Sequence, residues 1–422
     1  MGFQVTRVAG AMVRPALPTP SENLELSAID RMPGLRFKIQ SLHVFEHGRE
    51  AGKIIREALG KALVYYYPFA GRLTASAGDG EVRVACTGEG VWFVEASANC
   101  SLKDQISSIE MKPCADLLPD RAPGEDPDKI IMLMQVTQFD CGGFIVGVDN
   151  SHCISDGLGT AQFLNALAEL AGGLSSPSIT PIWCPAAIPS PPSRPFHLPP
   201  SVPPPPTLNL HRATIDLSLP HINAFKAHFL TSSGEPCSAF EAIAATLWQS
   251  RTRAVLKNAE YAQVRLVFMA NARPLVRPPL PTGFCSNCFF PVNVSAAGEW
   301  LASATAVEVV RLIKEAKGRL QAEFRRWEAG EGEDPYMPVL GYGTLFLSEW
   351  SRLGFEKVNY GWGTPKLVVP VMYSDLIPAI IIGAAPPPAT GIRLSTQCVE
   401  EEHERDFKEN MRRAWDLGEC EE

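Results

Sequence analysis

The chain reads as a mixed α/β protein of two domains, on three observations. At 422 residues it is too long for one ordinary core and suits two of about 200 residues each. Apolar positions recur with period two in some segments and 3.6 in others, and the two kinds interleave from end to end. Between Pro181 and Pro206, twelve of twenty-six residues are proline. Such a segment cannot be helix or central strand and marks an extended, semi-rigid connector. The expected domains are therefore 1–182 and 210–422, joined by a crossover linker over 183–209.

The elements follow from pattern. Ala51–Tyr66 repeats apolar residues at Ile54, Ile55, Ala58, Leu59, Ala62 and Leu63, one face of a helix. Glu81–Ala85 and Val91–Glu95 alternate like strands around Gly88-Glu-Gly90. Gly143-Phe-Ile-Val-Gly-Val148 is a buried strand, and Thr160–Ala171 returns to helical spacing. In the second half, Ser238-Ala-Phe-Glu241 has the form of a capping box and opens a helix through Ala244, Leu247 and Trp248. Val264–Ala270 is a strand. Ala306–Phe324 is a long amphipathic helix on Val309, Leu312, Ile313, Ala316 and Leu320.

Composition removes several function classes. The net charge of -8 and the lack of any Lys/Arg run argue against a nucleic-acid partner. The longest apolar runs, such as Ile130–Met134 and Ala379–Ala385, fall far below the roughly 18 residues of a spanning helix. The N-terminal residues carry no secretory h-region, so eleven cysteines are expected as free thiols in a reducing, cytoplasmic setting. Cys285-Ser-Asn-Cys288 lacks the second pair or nearby histidine that a structural zinc needs, so no metal is expected.

One short string carries chemistry: His152-Cys-Ile-Ser-Asp156-Gly157, directly after the buried strand. A histidine delivered by a strand end into a glycine-containing turn is held rigidly and can face a cleft. Its ordinary pKa near 6.5 suits it to take a proton at neutral pH. The string is too short to stand alone, and Tyr360-Gly-Trp-Gly363 supplies a second about 200 residues on.

These residues resemble the plant BAHD acyltransferases, a family marked by H-x-x-x-D-G mid-chain and D-F-G-W-G near the C-terminus. The resemblance extends to Leu26-Ser-Ala-Ile-Asp30, Tyr67-Pro-Phe-Ala-Gly-Arg-Leu73, Cys141-Gly-Gly-Phe144 and Ser348-Glu-Trp350, in order and spacing. It departs at Asn359 and Tyr360, where the family has Asp and Phe. Asn359 keeps an acceptor oxygen and removes a charge, which puts any ion-pairing role there in doubt. Condensation domains of peptide synthetases share the first motif but carry a histidine where this chain has Ser151. Chloramphenicol-type acetyltransferases share it at half the length.

The resemblance implies two similar chloramphenicol-acetyltransferase-like domains with the active site in a channel between them. It implies His152 as general base; the Trp362 indole reads equally as an N–H donor to the oxyanion or as a packed aromatic that shapes its loop. Asp156 would pair with Arg273 and, with Gly157, support the site while tying the domains together. Ser238, Tyr360, Gly361 and Gly363 would meet coenzyme A, and Arg36 and Asn287 would line the acceptor pocket. Acyl-CoA would be a co-substrate, with no resident cofactor, and the protein would act as a monomer. Pro33-Gly-Leu-Arg36, Asn287-Cys-Phe-Phe-Pro291 and Gly383–Gln397 resemble most the aromatic-alcohol branch. That points to p-coumaroyl-CoA and a monolignol, with benzoyl- or acetyl-CoA:alcohol transfer as the alternative. A non-catalytic binder of CoA esters is the reading outside the enzyme class.

Overall fold

The computed structural model describes residues 4–75, 81–106, 109, 115–192, 207–256, 262–337, 339–371 and 376–415. Residues 193–206, most of the expected proline-rich linker, lie outside the described residues. The strands in chain order are β1 (Val5–Val13), β2 (Asn23–Glu25), β3 (Lys38–Phe45), β4 (Arg72–Ala75) and β5 (Val82–Ala85). Then come β6 (Val91–Ala98), β7 (Met132–Phe139), β8 (Phe144–Ser151), β9 (Leu210–Ser218) and β10 (Gln263–Asn271). The last are β11 (Phe289–Ala297), β12 (Thr344–Glu349), β13 (Leu367–Val371), β14 (Ala379–Ala384) and β15 (Gly391–Glu400). The helices are α1 (Ala51–Tyr65), α2 (Gly157–Ala171), α3 (Leu219–Ser233), α4 (Ala239–Val255), α5 (Gly298–Ser303), α6 (Ala306–Glu328) and α7 (Glu401–Trp415).

The chain forms two compact units, but they are not its two contiguous halves. One comprises Met1–Ser190, Ala272–Phe289 and Trp350–Met372. The other comprises Pro191–Asn271, Phe290–Glu349 and Tyr373–Glu422. The division expected at the proline run thus misses two segments of the C-terminal half. The reason is strand pairing. β13 pairs antiparallel with β3, from Leu367 opposite Val44 to Val371 opposite Gln40, and so satisfies an edge that would otherwise present open backbone donors and acceptors.

In the first unit six strands run in the order β1-β6-β7-β8-β3-β13, and β2-β5-β4 form a small second sheet. All eight residues of β8 are buried: β7 and β3 pair along its edges, Val146 and Val148 pack in the cluster that holds α1 and α2, and Ile145 packs in the cluster that holds Leu117 and Leu118. Helices α1 and α2 pack together over this sheet. The buried face of α1 is Ile55, Ala58, Leu59, Ala62 and Leu63, the stripe that its periodicity predicts. Helix α2 begins three residues earlier than its apolar spacing predicts, since Asp156 caps it and accepts from Gly159 N–H at 3.0 Å.

The second unit holds another six-stranded sheet, β11-β10-β12-β14-β15-β9. Ser238 and Glu241 make the expected capping box at the start of α4. That helix carries the buried Trp248 and Arg251, and Arg251 Nε donates to the Cys398 carbonyl at 2.7 Å. The cysteines among the described residues are free thiols. Among the described residues no helix is long and apolar enough to cross a membrane.

Candidate active site

β8 ends at Ser151, and the next residues form a tight turn fixed on every side. The His152 N–H donates to the Phe37 carbonyl at 3.0 Å, and the His152 carbonyl accepts from Asn287 Nδ2 at 2.6 Å. The Cys153 thiol donates to the Leu35 carbonyl, while Asn150 Nδ2 donates to Ser155 Oγ and Thr160 Oγ1. A peptide held at both its N–H and its carbonyl leaves the side chain little freedom. The half-buried imidazole meets Phe37 edge-on, with centroids 5.3 Å apart, and Phe289 at 5.9 Å.

The Nδ1 atom of His152 is buried and has no partner in hydrogen-bonding geometry among the described residues. Nε2 is therefore the ring nitrogen left to solvent. Burial depresses the His152 pKa below 6.5, against the opposing pull of its own carbonyl, the Asp156 charge and the Asn287 side chain. The ring is neutral at pH 7, the state that a proton acceptor requires.

Asp156 faces away from the imidazole. Its carboxylate takes a bidentate pair of bonds from Arg273 at 2.8 and 2.9 Å, plus N–H bonds from Gly159 and Cys288, each at 3.0 Å. Burial alone would raise this carboxyl, but the Arg273 charge and these donors hold it below the usual 3.8. Arg273 also donates to the Ser286 carbonyl at 2.9 Å. Both partners of the pair belong to the first unit. The pair therefore ties the His152 turn to the 272–289 segment within one unit, which corrects its expected role as a tie between domains.

The glycines serve close approach rather than unusual backbone angles. A Cβ on Gly159 would lie 1.9 Å from the Cys285 carbonyl oxygen, and one on Gly157 would lie 2.4 Å from Leu353 Cδ1. At Gly159 the neighbour is fixed backbone, so the first turn of α2 can approach it only without a side chain, whereas at Gly157 the end of Leu353 could turn aside.

The second motif sits elsewhere in the same unit. Trp362 packs edge-on against Phe144, with centroids 5.6 Å apart, and Tyr360 is buried on Phe45 and Phe144. Phe144 opens β8 and His152 follows its last residue, so about 23 Å of strand separates the two ends. Trp362 is therefore too far away to donate to an oxyanion at His152, and of its two expected roles the structure shows the packed aromatic. Tyr360 is buried and cannot line a ligand site. Gly361 and Gly363 adopt φ of 101° and 102° and donate their N–H groups to Asn359 Oδ1 at 2.9 and 3.0 Å. The Asn359 carboxamide thus folds its own loop, a task that needs an acceptor oxygen and no charge.

The remaining expected residues divide. Ser238 lies in the second unit, where its hydroxyl accepts from Glu241 N–H and the Glu241 carboxylate accepts from Ser238 N–H. The helix N-terminus is thus already capped by its own anion. Arg36 is exposed in the turn before β3, next to the Phe37 carbonyl that holds His152. Asn287 is fully buried and bonded to the His152 carbonyl, so it is not a wall of an acceptor pocket. Asp30, bonded to Asn287, was missed. The Ser27-x-x-Asp30 spacing is the signal, since Ser27 and Asp30 bond reciprocally as in a capping box.

Comparison with known proteins identifies the family. A family model described as "Transferase: Transferase family" matches residues 3–413. Acyl transferase 4 of Oryza sativa subsp. japonica is 46% identical, covering 98% of this chain and 99% of its own. A myricetin 3-O-glucosyl 1,2-rhamnoside 6'-O-caffeoyltransferase of Crocosmia x crocosmiiflora is 40% identical over 97% of this chain and 99% of its own. The crystal structure of vinorine synthase superposes with a TM-score of 0.77 at 22% identity, covering 96% of each chain, and shares the fold. The chain belongs to this transferase family, the BAHD acyl-CoA-dependent acyltransferases.

Proposed function

We propose that the protein transfers a hydroxycinnamoyl group from its CoA thioester to an alcohol oxygen, with His152 as the general base. The observation that carries the base assignment is the His152 geometry: a peptide pinned at both ends, Nδ1 buried, and Nε2 left to solvent. Nε2 takes the proton of the acceptor hydroxyl as its oxygen attacks the thioester carbonyl. The tetrahedral oxyanion then collapses, the C–S bond breaks, and the proton on Nε2 passes to the departing thiolate. CoA is already a good leaving group, so no acyl-enzyme is required. The protein supplies the base and its alignment, and acyl-CoA is a co-substrate rather than a resident cofactor.

p-Coumaroyl-CoA and a monolignol are the pair proposed first. The Crocosmia relative, named for caffeoyl transfer at 40% identity, supports a hydroxycinnamoyl donor, because caffeoyl differs from p-coumaroyl by one ring hydroxyl. The same name supports a second reading of the acceptor, in which a sugar hydroxyl of a flavonol glycoside takes the acyl group. The test is an acyl-transfer screen by mass spectrometry. p-Coumaroyl-, caffeoyl-, benzoyl- and acetyl-CoA are each offered against coniferyl alcohol, sinapyl alcohol, benzyl alcohol and a flavonol glycoside. Coniferyl or sinapyl p-coumarate as the preferred product is expected. Preferred benzoyl or acetyl transfer would overturn the donor, and ester on the glycoside alone would overturn the monolignol.

The pH profile follows from the depressed His152 pKa. The base works unprotonated, so kcat/KM should stay level as pH falls through 6.5 and decline with unit slope only below that value. An acid limb centred at or above 6.5 would contradict the assignment.

A further inference from the structure

The turn between β7 and β8 carries a thiol that the transfer reaction does not use. β6 and β7 pair in parallel with an unbroken register, from Trp92 opposite Leu133 to Ala98 opposite Phe139. Two residues further along each chain, the same register brings Cys100 opposite Cys141. Neighbouring strands run about 4.8 Å apart, inside the roughly 4.4–6.8 Å between Cα atoms that a disulfide spans. Past the strand ends the two chains stay in contact. The Asp140 N–H donates to the Cys100 carbonyl at 3.3 Å, and the Leu102 N–H donates to Cys141 Sγ at 3.3 Å. The turn is itself closed by the Phe139 N–H on the Gly143 carbonyl and the Gly142 N–H on the Phe139 carbonyl, each at 2.9 Å.

The two thiols differ in a useful way. Cys141 is exposed and Cys100 is half-buried, whereas Cys86, Cys153, Cys237, Cys285, Cys288 and Cys398 are buried. Burial opposes ionisation of Cys141, yet the N–H groups of Gly143 and Leu102 and the Ser101 hydroxyl outweigh it and hold the thiol below its ordinary value. Cys100 is held above that value by burial and by the charges of Asp140, Cys141 and Asp104. An accessible thiolate beside a second thiol that can resolve it is the arrangement that favours disulfide exchange.

We propose that Cys100 and Cys141 are a reversible disulfide pair, a staple across the ends of β6 and β7 that closes when the protein meets a small-molecule disulfide. With oxidised glutathione as that reagent, the Cys141 thiolate attacks one of its sulfurs, the S–S bond breaks, and one glutathione thiolate leaves. The Cys100 thiol gives its proton to solvent, attacks the Cys141 sulfur of the mixed disulfide and expels the second glutathione thiolate. Two cysteine thiols are oxidised, and one glutathione disulfide is reduced to two thiols. The link closes residues 100–141 into a loop and so removes freedom from the unfolded chain. It also fixes the end of the sheet on which the second motif packs, because Phe144 opens β8 and seats Trp362. The pair lies at the far end of β8 from His152 and is independent of the general-base reading.

The test equilibrates full-length protein with oxidised glutathione, blocks the remaining thiols with an alkylating reagent, and reads the digest by mass spectrometry. A Cys100–Cys141 linked peptide is expected as the main oxidised product, and dithiothreitol should abolish it. Cys100→Ser should stop at a glutathione adduct on Cys141, and Cys141→Ser should leave Cys100 as an alkylated thiol. Both variants replace one sulfur by oxygen at accessible positions and should fold, with melting curves as the control. Oxidised wild type should melt several degrees above the reduced protein, and oxidised Cys100→Ser should not. A wild-type protein carrying glutathione on Cys141 with Cys100 still free would overturn the proposal. So would a link from either residue to another cysteine, or an oxidised protein that melts no higher than the reduced one.

Discussion

His152→Ala should lose about two to four orders of magnitude in kcat, the range that a positioned general base supplies. That is about 3 to 5 kcal/mol of transition-state stabilisation at 1.36 kcal/mol per tenfold. The protein should stay folded, because the turn is fixed by backbone bonds to Phe37 and Asn287 that alanine retains. Equilibrium binding of a non-reactive CoA thioether should change little, since the imidazole acts on the acceptor proton rather than on the donor. Steady-state kinetics, with melting curves as the control for folding, separate these effects. Near-normal turnover in a folded His152→Ala protein would mean that the acceptor is activated elsewhere.

Breaking the Asp156–Arg273 pair should have the second large effect, on stability rather than on chemistry. Both side chains are largely buried, at 10% and 17% relative exposure. Removing one partner strands the other charge, which costs about 3–5 kcal/mol at buried sites. Asp156→Ala and Arg273→Ala should therefore each lower Tm strongly. The double variant should be less destabilised than the sum, because it leaves no orphan charge. Arg273→Lys should recover only part, since an ammonium cannot reproduce the two parallel bonds. The pH dependence has a definite sign. The folded-state pKa of Asp156 is held below 3.8, so its contribution is present in full above 3.8 and is lost as pH falls through the folded value. The gap between wild type and Asp156→Ala should therefore narrow in strong acid. A gap that widened there, or single variants as stable as wild type, would show that the pair is energetically idle.

What the sequence revealed and what it concealed divide along a physical line. Local periodicity located α1, the β8 strand and the α4 capping box, because those features are determined within a few residues. The chemistry of the His152 string was legible for a similar reason: strand, turn and cap follow one another without a break. The true division of the chain was not legible. The union of β13 with β3 depends on backbone edges, which nearly any sequence can offer, across more than 300 positions. The role of Trp362 was not legible either, because an indole beside glycines reads equally well as a ligand contact or as packing, and spacing does not say which end of β8 it meets. Asn287 was assigned to the right neighbourhood and the wrong task. Only in the folded chain are both amide hydrogens brought to Asp30 and the His152 carbonyl.

The reach of the Asp156–Arg273 contact also bears on how the protein is made. The two residues are 117 positions apart, and a translating ribosome adds about 5–20 residues per second, so Arg273 follows Asp156 by roughly 6 to 23 seconds. For that interval a nascent chain that has collapsed around β8 holds an aspartate without its counter-charge, and β3 lacks its neighbour β13 for longer still. The turn that carries His152 therefore gains its Asn287 and Arg273 contacts only after the 272–289 segment has been made.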